Sequence, residues 1–386
     1  MVYDIVAAAV LGAWIYLIAA RGGFWLASVR DDAPPSLQMP WPDVIAVVPA
    51  RDEADCVAES IGSLLDQHYP GNFSVILVDD QSIDDTAVVA LRAAEARGAS
   101  DRLTIISGKP PPAGWMGKTW AQQQGIELAE RHSPRPAYLL LSDADIVHAP
   151  DTLAGLVAQA QSTGSLLTSL MAKLNCESFA EQALIPAFIY FFQMLYPFRW
   201  VNEPQRRTAA AAGGCMLVNS DTLAQAGGIA AIADAVIDDC TLAKKLKEHG
   251  PIWLGLTERV RSIRLYPRLD DVRRMVTRSA YAQLKYSPLL LAGTIAGLAL
   301  IYVAPVGFAL LGSGFAQLFG IASWILMAFS YGPTLRFYRM PGWWPPTLPA
   351  IALVYMAFTI DSAWQHVRKG GGIWKGRVVG KWRRAD

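Results

Sequence analysis

Val75-Ile76-Leu77-Val78-Asp79-Asp80 and Tyr138-Leu139-Leu140-Leu141-Ser142-Asp143-Ala144-Asp145 decide the fold. Each is a short, unbroken apolar run that ends in carboxylates. A strand reads this way when both of its faces are covered, as in a parallel sheet lying between two layers of helix. Residues at the carboxyl ends of such strands border the crevice where open α/β sheets take ligands. A third acidic pair closes the apolar run Val236-Ile237-Asp238-Asp239. The pattern predicts one cleft in which carboxylates from three distant stretches meet.

Outward from these runs, residues 44–48 read as a β-branched strand ended by Pro49, and residues 54–67 as a helix with Val57, Ile61, Leu64 and Leu65 on one face. A helix over 85–97, a strand over 103–106 and a helix over 119–131 complete an alternation that predicts an α/β fold, with a mostly parallel sheet and helices on both faces. Residues 42–285 are expected to form this body, reached through Pro34-Pro35 and Pro40-Trp41-Pro42. Four cysteines, Cys56, Cys176, Cys215 and Cys240, have neither a CxxC pairing nor a histidine spacing that would hold zinc, and read as reduced thiols.

The 386 residues are 53% hydrophobic and only 17% charged, too apolar for an ordinary soluble enzyme, so part of the chain must face lipid. Residues 5–20 carry no charge and, extended by 22–29 beyond Arg21, make a membrane helix over residues 1–30. A signal peptide fits less well, because no basic region precedes Ile5 and the apolar stretch resumes after Arg21. Arg21 and Arg30 follow the segment while only Asp4 precedes it. The positive-inside rule therefore puts residue 31 onward in the cytosol; the expected location is that of an integral protein of a bacterial inner membrane.

Further membrane helices are expected over 288–363. Runs 289–311 and 315–331, parted by Gly312-Ser313-Gly314, read as a hairpin. A third run, 343–360, carries Pro345, Pro346 and Pro349 near its start. Basic residues flank it on both sides, so it is either re-entrant or interfacial, or else it crosses and the tail breaks the rule; a cytosolic tail is expected. The basic tail, 364–386, with Trp374 and Trp382 among its charges, suits an anionic membrane surface. Nucleic acid is not an expected partner, since the charge is not spread over a folded domain. The aromatic stretch around 180–200 reads as an interfacial helix that seats the body on the bilayer, with a buried core helix as the alternative.

Val48-Pro49-Ala50-Arg51-Asp52-Glu53, the stretch from Val78-Asp79-Asp80 to Thr86, and Asp143-Ala144-Asp145 resemble the opening, nucleotide and metal motifs of family 2 glycosyltransferases. Gly114-Trp115-Met116-Gly117-Lys118, Ala212-Gly213-Gly214-Cys215 and Ile237-Asp238-Asp239-Cys240, with the terminal helices, are most similar to the hopene-associated, ceramide-glucosyltransferase-like branch. The resemblance implies a GT-A-type, Rossmann-like nucleotide-sugar domain. It also implies inverting transfer from a nucleotide-diphosphate sugar, a UDP-sugar, to a lipid acceptor such as a hopanoid or related polyisoprenoid. Sphingolipid-like, carotenoid and polyprenyl-phosphate acceptors are the alternatives.

Such a transfer leaves a charged diphosphate, which calls for Mg²⁺ or Mn²⁺ held by oxygen ligands. Asp143 and Asp145 point to one side of an extended segment, with Asp145 the direct ligand and Asp143 reaching metal or ribose; a solvated turn capping the next helix is the plain alternative. For Asp79 the resemblance implies hydrogen bonds from uracil or ribose, and Asp80 would help position the diphosphate through metal-bound water. Turn chemistry in which Asp84 or Asp85 caps a helix competes with, or accompanies, that role. Pro49, Arg51 and Glu53 lie where the family contacts the nucleotide, although Arg51 reads equally as an ion-pair partner. Lys118 opens a helix after two glycines, so its ammonium and the helix N-terminus would face phosphate.

The family places an acidic pair at Asp238-Asp239 with the second as general base; Asp239 would take the acceptor's proton while Asp238 holds geometry or donor sugar. Two carboxylates favouring a helix dipole is the bland reading. A Gln/Arg-x-x-Arg-Trp segment typical of processive and ceramide-type relatives is missing from 274–284. Gly213, Gly214, Arg278, Tyr281 and Gln283 are the remaining candidates for acceptor or diphosphate contacts. Two other classes fit less well. A haloacid-dehalogenase-type phosphohydrolase would use Asp143 as nucleophile, but that residue usually comes early in such chains. A membrane scaffold without activity would be expected to have lost an acidic cluster.

Overall fold

The computed structural model describes residues 1–32, 40–369, 372–374 and 377–379. Pro34-Pro35 of the linker and Lys375, Lys381, Trp382, Arg383 and Arg384 of the basic tail lie outside the described residues. Two compact units emerge. One comprises Val29–Asn175 and Trp200–Leu265; the other comprises Met1–Ser28, Cys176–Arg199 and Tyr266–Asp386. Residues 176–199 and 266–285, read above with the α/β body, thus group with the terminal helices.

The first unit is built on eight strands: β1 (Val44–Ala50), β2 (Phe73–Asp79), β3 (Leu103–Ser107), β4 (Tyr138–Ser142), β5 (Ile146–His148), β6 (Leu167–Lys173), β7 (Cys215–Asn219) and β8 (Ile252–Ser262). They form one sheet in the order β3-β2-β1-β4-β7-β6-β8-β5. The half that the apolar runs foretold is parallel throughout, β3 with β2, β2 with β1, β1 with β4. Beyond β4 the sheet is mixed: β7 runs antiparallel to β4 and β6, β8 is parallel to β6, and β5 is antiparallel to β8.

Pro49 does not end β1, which runs on to Ala50. The amides of Val44 and Asp80 bond across to β2's side of β1, through Asn72 and Ala50, so the even-numbered residues of β1 face β2. Pro49 faces the other neighbour, where pairing with β4 stops at Val47↔Leu141, and its missing N–H interrupts no ladder.

Helices cover the sheet as the 3.6-residue spacing predicted. In Val57–Leu65 the four expected residues Val57, Ile61, Leu64 and Leu65 are all buried. Each such side chain contributes about 1.5–3 kcal/mol of burial energy. The helix Gly117–Ala129 approaches β1 and β2 so closely that a Cβ on Gly125 would stand 2.5 Å from Val47 Cγ1 and 2.9 Å from Val78 Cγ2.

The second unit is helical. Among the described residues four helices are long and apolar enough to cross a membrane: Val2–Ala20, Pro288–Leu311, Gly314–Phe337 and Pro345–Arg368. The middle two form the expected hairpin around Gly312. Asp4 accepts from the Ala316 amide at 3.1 Å, which sets the start of the first helix beside that turn. The last helix is arranged differently. Near its start, Trp324 Nε1, midway along its neighbour, donates to Pro346 O at 3.0 Å. Near its end, His366 stacks on Tyr286 at 4.3 Å, Ser362 Oγ accepts from the Tyr281 amide, and Asp361 pairs with Arg273. Its C-terminal end therefore lies beside residues 273–286, at the open end of the hairpin.

The aromatic helix Phe179–Leu195, expected at a bilayer surface, is enclosed within this unit. Leu184, Ile185, Ala187, Ile189 and Tyr190 are all buried, and the helix packs with Trp14, Tyr302, Tyr331 and Tyr355. Its apolar residues run all round it, which a helix floating on one face would not need.

Candidate active site

β1, β2 and β4 run parallel, so Glu53, Asp79 and Asp143 follow strands that end at one edge of the sheet. Asp79 is the last residue of β2 and lies about 10 Å, two strand spacings, from the end of β4. Its Oδ1 accepts from the Ser82 amide at 3.0 Å, and Gln81 in that turn holds φ +58°. Gly108 donates to Asp79 O at 2.8 Å, and a Cβ on it would stand 3.1 Å from that oxygen. The buried Asp80 donates its amide to Ala50 O. Asp84 takes the Thr86 and Ala54 amides, so helix-start turn chemistry exists beside the carboxylates. Arg51, a candidate nucleotide contact, donates to Asp80 O at 2.6 Å and thereby shapes the same turn.

The remaining acids form a continuous charged network. Lys118, at the first turn of Gly117–Ala129, lies 2.9 Å from Asp143 Oδ1 and 3.1 Å from Asp238 Oδ2. Arg264 Nε lies 2.8 Å from Asp145 Oδ2 while its Nη2 lies 2.5 Å from Glu53 Oε2; Ser262 Oγ adds a bond to Asp145 at 3.3 Å. Asp239 Oδ2 accepts from the Gly213 amide at 2.9 Å and Oδ1 from the Cys240 amide at 2.7 Å. Asp238 and Asp239 form the first turn of Asp238–Lys247, so the helix-dipole role coexists with the charged network.

Five carboxylates thus surround two cations, and the electrostatics register the imbalance. Burial first, then the charge of Asp238, raises the Asp239 carboxyl to about 6, against the lowering influence of Lys118 and the two amides. Burial likewise raises Asp143, opposed chiefly by Lys118. The Lys118 ammonium is held well above its usual range by Asp143 and Asp238, despite its own burial.

A hard divalent cation suits this donor set. The groups are all carboxylate oxygen, and their surplus negative charge is what such an ion relieves. Asp143 and Asp145 are the residues that would hold it. Glu53 also clusters with Asp55 and Cys56, their ligand atoms within 4.8 Å of one another. Burial pushes the Cys56 thiol up to about 12, which leaves it protonated and a poor ligand.

Gly213 is a structural part of the site: a Cβ there would meet Lys118 Nζ at 3.2 Å and Asp239 Oδ2 at 3.3 Å. Gly214 is pressed against Ile146, 3.0 Å from a would-be Cβ. Arg278, Tyr281 and Gln283 belong to the helical unit. There Tyr281 is buried against Tyr286 and His366, and Gln283 donates to Tyr196 Oη at 2.5 Å. Sequence reasoning did not find Arg264. No local motif marks it; it arrives because β8 pairs with β5, Ser262 opposite Ile146, and Ile263 donates to Asp145 O.

Residues 45–225 match the glycosyl transferase family 2 model. An N-acetylglucosaminyltransferase of Mesorhizobium japonicum is 27% identical over 187 residues, 48% of this chain; the chain spans 39% of that relative's length. The mannosyltransferase PcManGT from Pyrobaculum calidifontis, solved with GDP-Man and Mn²⁺, aligns over 95% of this chain and 99% of its own with a TM-score of 0.57. At 18% identity it establishes the fold. Residues 45–225 of the chain are accordingly similar to a glycosyl transferase family 2 domain, and the sheet that carries them is a GT-A-like α/β sheet.

Proposed function

We propose that this protein is a membrane-integral, metal-dependent, inverting glycosyltransferase that moves a sugar from a nucleotide-diphosphate donor to a lipid acceptor. The observation that carries the reading is the single ammonium of Lys118 shared by Asp143 and Asp238, which brings the metal-type pair and the base-type pair into one site. A cation bound at Asp143 and Asp145 would neutralise charge on the leaving diphosphate. Lys118, in contact with both pairs, adds a fixed positive charge there. Asp239 takes the acceptor hydroxyl's proton as that oxygen attacks the anomeric carbon from the face opposite the leaving group. A base titrating near 6 is largely ionised at neutral pH yet basic enough to act. Asp238 holds Lys118, and Asp79 is offered to the base or ribose.

The donor is taken as a UDP-sugar, a choice that the N-acetylglucosaminyl activity named for the Mesorhizobium relative supports. GDP-mannose, bound by the Pyrobaculum enzyme, is the second donor to try. The acceptor is read as a polyisoprenoid-derived lipid such as a hopanoid, with sphingolipid-like, carotenoid and polyprenyl-phosphate acceptors next. The apolar terminal helices support lipid, and they favour an inner membrane with the sheet unit in the cytosol.

Purified protein in lipid, supplied with Mn²⁺ or Mg²⁺ and labelled nucleotide sugars, should release nucleotide and label lipid. The Asp239→Asn variant should lose about 10²–10⁴-fold in kcat. No labelled lipid from any donor, or an Asp239→Asn variant as fast as the parent, refutes the reading.

A further inference from the structure

We propose that Ser142, His148 and Ser169 are positioning residues that brace the turn on which Asp239 rests; the inference builds on the reading of Asp239 as the base. The turn Ala211-Ala212-Gly213-Gly214 leads into β7, and it is the Gly213 amide that holds Asp239 Oδ2. β4 and β6 flank β7, and each sends a buried serine into this turn. From β4, Ser142 Oγ donates to Gly214 O at 3.2 Å, the nearer of its two backbone acceptors, Asp143 O lying at 3.4 Å. From β6, Ser169 Oγ accepts from the Ala212 amide at 2.9 Å and donates to Ala212 O at 3.2 Å. The peptide group that carries the Gly213 N–H is therefore pinned through Ala212 O, the peptide after Gly214 is pinned through its carbonyl, and the N–H between them is aimed at the carboxylate.

His148 sets the direction of the Ser142 bond. Its Nε2 lies 3.0 Å from Ser142 Oγ, and the ring is buried. A hydroxyl has one proton to give. When that proton goes to Gly214 O, Nε2 must carry the hydrogen and donate to the serine. The opposite tautomer would draw the hydroxyl proton to Nε2, release the Gly214 carbonyl and leave a buried Nδ1–H. Nδ1 has no partner among the described residues, so with the hydrogen on Nε2 it is an acceptor and not an N–H donor that goes unpaired. Burial keeps the ring neutral, its pKa lowered to about 4. Small apolar residues would fill these three positions without burying any polar group, so their presence asks for a role beyond packing.

The test uses the full chain in detergent, with Ser142→Ala, His148→Leu and His148→Gln. Ser142→Ala and His148→Leu should lower kcat roughly 10–100-fold, as loss of supporting hydrogen bonds typically does, and leave the donor KM unchanged. His148→Gln, which retains an N–H donor, should recover most of the loss. A second readout needs neither donor nor metal. Cys240 Sγ donates to Ala211 O at 3.7 Å, so loosening the turn should speed alkylation of Cys240 by N-ethylmaleimide while the buried Cys56 and Cys215 stay unreactive.

Unchanged Cys240 reactivity together with parental kcat in Ser142→Ala and His148→Leu overturns the proposal. So does a joint rise in reactivity of all the thiols, which would mean general unfolding. Selective exposure of Cys240 in a protein whose parent transfers no sugar would keep the brace and remove the glycosyl-transfer reading.

Discussion

Asp239 holds its proton up to about pH 6, two decades above an ordinary aspartate, and that number has two measurable effects. For catalysis, the carboxyl must be ionised to accept a proton. The kcat profile of the parent should therefore rise through an apparent pKa near 6, and Asp239→Asn should lack this limb. For folding, the native state binds the proton more tightly than the unfolded chain. Stability should accordingly fall as pH climbs from about 4 to 6, and chemical denaturation of Asp239→Asn should show a shallower fall over that window.

Arg264 offers a test of the charge network. Arg264→Leu strands Glu53 and Asp145, both largely buried, at a cost of about 3 kcal/mol seen as a lower unfolding midpoint. Added Mn²⁺ should restore part of the loss if the acids bind it. The carboxylates were readable in the sequence because strand-end acids leave a local pattern. Arg264, Ser142, His148 and Ser169 were not, since their roles arise from strand pairings between residues far apart in the chain.

Elements were legible in proportion to how uniform their surroundings are. β2 and β4 are buried on both faces and advertise it with Ile76, Leu77, Leu139, Leu140 and Leu141, all buried. The mixed half left weaker signals: β6 is interrupted by Thr168 and Ser169, and β5 has three residues. The enclosed helix Phe179–Leu195 carried an ambiguous message, because aromatic rings suit a headgroup layer and a helical core alike.

Close packing of helix on sheet gives the prediction at this scale. Gly125→Ala on Gly117–Ala129 would force its methyl against Val47 and Val78, push back the helix that carries Lys118, and destabilise by about 1–3 kcal/mol in thermal unfolding. Activity should fall with it, since Lys118 opens the same helix. An unchanged midpoint would mean that the helix shifts freely and that the close approach matters little.

For the whole molecule, the last apolar helix decides how the chain threads a bilayer. Its final turns meet residues 273–286, at the open end of the hairpin, while Pro346 reaches only the middle of Gly314–Phe337. A helix held in this way would enter and leave by the same side, which would reconcile its proline-rich start with basic residues at both flanks. Single cysteines introduced at Tyr286 and His366 should react with a membrane-impermeant maleimide from one side, and a cysteine at Ser313 from the other. Labelling of position 366 together with position 313 would make the helix a full crossing. With three crossings instead of four, the parity is odd. Tyr3 and Arg368 then look into different compartments, and reporters joined near each would never share a solvent.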